Sequence, residues 1–127
     1  MLIQSHRDLH VWQDAFRIAQ RIFELTRCFP QEERYSLTDQ VRRSSRSVAA
    51  NLAEAWIKRR YKAAFLLKLN DAMAEAAETQ TWLEIAHGCG YLDGPSFETL
   101  YTDCNNVIGK LVNMSRRADD WLLKAGS

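Results

Sequence analysis

Apolar residues recur at intervals of three and four along most of the chain, and the pattern divides into four stretches. In the first, at about residues 9–28, Trp12, Ala15, Phe16, Ala19, Ile22, Phe23 and Thr26 share one side of an α-helix. Ser5 or Asp8 is placed to cap its start. Phe29-Pro30 ends it, because proline disfavours helix in the residue before it. A polar link, Gln31-Glu32-Glu33-Arg34, leads to the second stretch, about 37–58, with Ser36 and Asp39 spaced as a capping box. Its inward stripe is Leu37, Val41, Ser44, Val48, Leu52 and Ala55, narrow and rich in small residues, which suits close helix approach.

The third stretch, about 61–87, carries Phe65, Leu66, Leu69, Ala72, Met73, Ala76, Leu83 and Ala86 and leaves through His87-Gly88-Cys89-Gly90, a glycine C-cap. The fourth opens after Asp93-Gly94-Pro95 and spans about 96–124. It shows the most regular pattern: Phe97, Leu100, Tyr101, Cys104, Val107, Ile108, Leu111, Met114, Ala118, Trp121 and Leu122. No stretch alternates as a strand does. Long helices joined by short links predict an all-α, antiparallel up-down-up-down four-helix bundle in one domain. The Ile57-Lys58-Arg59-Arg60-Tyr61 junction has neither Gly nor Pro, so one kinked rod is the alternative there.

Composition agrees with this reading. At 127 residues and 46% hydrophobic, the chain can bury a core in a single domain. Its longest apolar run, Ala63-Ala64-Phe65-Leu66-Leu67, is too short to span a membrane, and Met1 to Arg7 lacks the apolar centre of a signal peptide. Cys28, Cys89 and Cys104 have no CxxC spacing and read as reduced, partly buried thiols of a cytoplasmic protein.

The net charge of +1 hides a sorting of charges. Between Arg42 and Lys68 stand eight basic residues and one acid, Glu54; between Leu69 and Gly109 stand seven acids and no Lys or Arg. Arg42 and Arg46 share a helix face with Arg43 beside it, while Lys58, Arg59, Arg60 and Lys62 cluster at the second turn. Such a patch could neutralise several phosphates, with Tyr61 and an exposed Trp56 to stack on bases. The alternative is a solvated face, or one that pairs with the acidic third helix of the same or a neighbouring subunit.

Candidate catalysis finds little support. A di-iron bundle needs two ExxH pairs, and only Glu84-Ile85-Ala86-His87 is present, at a helix end. His6 and His10 have no third ligand nearby, and no thiol has an evident base and orienting partner. No cofactor and no metal is expected, and no enzyme activity. Asn51, beside the inward stripe, is expected to be half buried and to fix helix register.

With the helices placed, the chain resembles the four-helix-bundle proteins encoded by intervening sequences within 23S rRNA genes. These are similar in turn to the accessory variability protein of diversity-generating retroelements. The resemblance rests on Asp8-Leu9-His10-Val11-Trp12-Gln13, Leu25-Thr26 with Phe29-Pro30, Glu33-Arg34-Tyr35-Ser36-Leu37, Gln40-Val41-Arg42-Arg43-Ser44, Ser47-Val48, Asn51-Leu52-Ala53-Glu54, Glu78-Thr79-Gln80-Thr81-Trp82-Leu83 and Cys89-Gly90-Tyr91-Leu92. Ser36 and Ala55 stand where such proteins usually have Gly. The resemblance implies an antiparallel bundle and a homopentameric ring; through the retroelement relative it implies RNA or DNA binding and a protein partner. Arg42, Arg43, Arg46, Lys58, Arg59, Arg60 and Lys62 are the residues to which nucleic-acid binding transfers. A pure protein–protein interaction or oligomerisation module is the alternative function.

Overall fold

A computed structural model describes residues 2–124, which form four α-helices and no strand: α1 His10–Thr26, α2 Leu37–Ile57, α3 Lys62–Gly88 and α4 Gly94–Arg116. Each helix packs on the next and α4 closes on α1, giving the four-helix bundle expected from the periodicity. The core runs the length of the bundle through Ile22, Leu52, Phe65, Leu69, Leu100, Val107 and Leu111, all 2% exposed or less. No helix among the described residues is long and apolar enough to cross a membrane.

Several local expectations change. Ser5 and Asp8 do form a capping box, but around a 3-10 turn at His6–Asp8; buried Leu9 takes the N-cap position of α1 without a side-chain bond. Phe16 lies on the solvent side of α1, and the core positions are filled by Val11, Ala15, Ile18, Ala19, Ile22 and Thr26. Ser36 makes no cap bond to α2, because its hydroxyl turns back to donate to the Glu33 carboxylate at 2.6 Å. The link between α2 and α3 is a true turn, made by Lys58 to Tyr61 without any positive φ; Ala55 is helical and buried, so no glycine is required there.

At the end of α3, Gly90 sits at φ +79°, its N–H donates to His87 O, and the Tyr91 N–H donates to Ala86 O. This pair of bonds is the Schellman arrangement, which needs a left-handed residue and so favours glycine. Asp93 caps α4 by accepting from the Ser96 N–H at 2.8 Å. The fourth helix is shorter than its apolar pattern predicts. It ends at Arg116, and a 3-10 turn at Ala118–Asp120 carries buried Ala118 and half-buried Trp121 and Leu122 onto the core. The Leu123 N–H then donates to Arg59 O at 3.1 Å, so this tail lies against the α2–α3 turn.

Register is held by residues other than Asn51, whose amide donates to Ser47 O within its own helix. Thr79 on α3 and Ser44 on α2 share a buried hydroxyl–hydroxyl bond of 2.8 Å. Gln80 on α3 reaches α4, donating to Asn105 Oδ1 and Tyr101 O.

Candidate nucleic-acid interface

The two halves of the basic zone both belong to α2 and the turn that follows it, but they do not form one patch. Lys58 comes twelve positions after Arg46, about 18 Å along a helix axis. Within the first half, neighbouring arginines point to different helices.

Arg42 leans toward α1. Its Nε donates to Thr26 Oγ1 at 2.8 Å, and its guanidinium carbon lies 4.8 Å from the centre of the Phe23 ring. Arg27 and Arg46 approach the same ring at 5.9 and 6.0 Å. Three guanidiniums therefore lie near one aromatic ring, which offers each a modest cation–π attraction. Arg27 meets Glu24 at 3.6 Å, but Arg42 and Arg46 meet no carboxylate among the described residues. The bond to Thr26 orients Arg42 through its Nε. Planar forks of this kind match phosphate oxygens two at a time.

Arg43, one position on, turns to α3 and pairs with Glu75 at 3.3 Å and Glu78 at 2.5 Å. The hydrogen bond it donates to Glu78 holds its pKa above the ordinary arginine value. Here the basic and acidic zones meet within one chain, so Arg43 is a helix-to-helix contact more than a free cation.

The second half is also partly engaged. Arg59 lies flat on Trp56, its guanidinium 3.4 Å from the ring centre and its Nε donating to Trp56 O at 2.7 Å; burial lowers its pKa. Trp56, part of the core and packed by Arg59, is 8% exposed and cannot stack on a base as expected. Lys62 pairs with Asp119 at 3.0 Å. Lys58 and Arg60 are exposed and meet no carboxylate among the described residues. Tyr61 remains open to solvent.

Sequence reasoning missed Tyr35. It is 85% exposed, carries the Arg34 guanidinium 5.4 Å from its ring, and lines a cleft of about 550 Å³ with Arg42, Arg43, Arg46 and Asp39. The available signal was an aromatic outside every apolar stripe, next to an arginine.

Elsewhere the structure brings no reacting groups together. His87 stacks on Phe97, with ring centres 4.8 Å apart, and its Nδ1 meets Leu92 O at 2.9 Å. No three His, Cys, Asp or Glu side chains converge as metal ligands among the described residues. Cys104 is buried, and desolvation pushes its thiol up to about 12; Cys28 and Cys89 are exposed. A groove of about 1100 Å³ between α1 and α4 is lined by Asn105, Asn106 and Asn113 among others, and its Asp14 carboxylate is taken by Arg17 and Lys110.

Compared with known proteins, the sequence matches the family described as 23S rRNA-intervening sequence protein over residues 7–113. A solved structure from Bacteroides thetaiotaomicron VPI-5482, a protein with unknown function from the S23 ribosomal protein family, is 29% identical. It matches with a TM-score of 0.76 over 84% of this chain and 95% of that one. No curated protein matches.

Proposed function

The chain belongs to the 23S rRNA-intervening sequence protein family, and from that premise we propose that it is a non-catalytic, self-assembling cytoplasmic module that grips RNA or DNA. The grip runs through Arg42 and Arg46, with Lys58 and Arg60 as outlying phosphate contacts. One observation carries the reading: the Arg42 and Arg46 guanidiniums lie 4.8 and 6.0 Å from the Phe23 ring centre, and neither pairs with a carboxylate among the described residues. Unpaired like charges four positions apart on one helix repel, and a polyanion relieves the repulsion. Arg43, Arg59 and Lys62, included in the patch on sequence grounds, contribute less because each already has a partner within the chain.

Labelled RNA and DNA duplexes titrated at several salt concentrations test the proposal. Affinity falls with salt at about 0.9 log units per phosphate contact per decade, and Arg42→Glu with Arg46→Glu lowers it at least tenfold at fixed salt. Undetectable binding at moderate salt, or indifference to the double reversal, overturns the assignment.

A second reading, a protein–protein module alone, draws on α3. Its outer face presents Ala63, Leu67, Asn70, Ala74, Ala77 and Thr81, all exposed and none charged. A surface helix ordinarily carries charge on its outward side. The 4-3-4-3-4 spacing of these positions is that of a coiled-coil seam. This face supports self-assembly in either reading, including a homopentamer. If Leu67→Glu with Ala74→Glu dissolves the oligomer and no nucleic acid binds, the second reading stands.

A further inference from the structure

The cleft that holds Arg42 and Arg46 has a feature that phosphate binding alone does not require. Tyr35 lies at its edge, 85% exposed, while Tyr91 and Tyr101 are half buried. Among the described residues the ring joins no part of the core, and the Arg34 guanidinium lies 5.4 Å from its centre. An exposed ring with a cation beside it is a surface on which a flat, electron-rich group can lie.

We propose that this cleft binds single-stranded nucleic acid one nucleotide at a time, the phosphate held by Arg42 and Arg46 and the base stacked on Tyr35. The inference rests on the nucleic-acid reading above and adds the form of the polymer. In a duplex the bases face inward and are stacked on each other, so Tyr35 could reach only sugar and phosphate. In a single strand the base is free to turn out onto the ring. Every base has a π-face, so the site tolerates sequence. Asp39, the one carboxylate lining the cleft, disfavours a second phosphate there and so leaves room for the uncharged base.

The test is fluorescence anisotropy on the full chain with a labelled 12-nucleotide RNA, single-stranded or annealed to its complement, for wild type, Tyr35→Ala, Tyr35→Phe and the Arg42→Glu, Arg46→Glu pair. Stacking on one aromatic side chain corresponds to about a 5- to 150-fold loss on removal. Tyr35→Ala is expected to weaken single-strand binding within that range and leave duplex binding unchanged. Tyr35→Phe, which keeps the ring, retains wild-type affinity for both. The arginine pair lowers both. Equal affinity for the two forms together with an inert Tyr35→Ala overturns the single-strand assignment and leaves the phosphate grip standing. No binding to either form overturns both. Because Tyr35 is exposed, circular dichroism of the alanine variant is expected to match wild type.

Discussion

Tyr91 and Glu33 join two links at the same end of the bundle. The Tyr91 hydroxyl donates to Glu33 Oε2 at 2.9 Å, and its ring rests 5.6 Å from that of Phe29. That hydrogen bond, with burial and the nearby charge of Glu33, raises the tyrosine from its ordinary 10.0 to about 12. Glu33 moves the other way, lowered from 4.5 first by the Ser36 hydroxyl and then by Tyr91. The signs set a window. The tyrosine contribution is complete below its unfolded value near 10 and is lost as pH rises through about 12. The glutamate contribution is present above 4.5 and is lost as pH falls through the lowered folded value. Ultraviolet titration of tyrosinate is therefore expected to show a late step near pH 12 that Tyr91→Phe abolishes; a Tyr91→Phe profile identical to wild type contradicts the pairing. At this scale the sequence was least informative. Trp56 and Tyr35 are both aromatics beside basic residues, yet one is covered and the other bare. What separates them is position: Trp56 stands four after Leu52 on the buried side of α2, with Arg59 against its ring, whereas Tyr35 precedes the helix and joins no part of the core.

Helix bodies were legible and helix ends were not. A stripe of buried positions follows from 3.6-residue periodicity, whereas an end depends on which of several polar groups wins a given bond. Ser36 illustrates the second case, since its hydroxyl is turned to donate to Glu33 and accepts from no amide of α2. The glycine exit of α3 was readable because left-handed backbone leaves few choices. At Gly90 an added Cβ would meet nothing within 4 Å, so Gly90→Ala has no steric clash and only a conformational cost. Denaturant unfolding is expected to show a loss of about 1–2 kcal/mol; the same substitution at Gly88, inside the helix, is expected to be neutral or stabilising. Equal effects at the two glycines would contradict the Schellman assignment. The shortened α4 has a comparable origin. Apolar spacing continues past Arg116, but a 3-10 turn satisfies it as well as another turn of α-helix would, and periodicity alone cannot distinguish the two.

For the molecule as a whole, four-fold apolar periodicity and short links were enough to anticipate the bundle, because few other packings bury all four stripes. The candidate site was only half legible. Charge sorting along the chain located the arginines, but direction around α2 decided their use: Arg42 and Arg46 turn toward α1, and Arg43 turns to the acids of α3. Self-assembly belongs to this scale. If the uncharged outer face of α3 meets a second copy, Leu67→Glu with Ala74→Glu places charge at the seam and is expected to reduce the mass seen by light scattering to that of one 14.7 kDa chain. Mass unchanged by that pair would move the seam elsewhere on the surface.

The bond from Leu123 to Arg59 bridges positions far apart in the chain, whereas the α2–α3 hairpin it touches is built from near neighbours. Closing a long loop is entropically slower than zipping a local pair, so the hairpin assembles early and the tail docks late. The last strap to fasten has the smallest share of the cooperative core and is the first to lift. Amide exchange should run faster at Leu123 than along the middle of α3, so the folded molecule breathes first where this strap lifts from the α2–α3 turn.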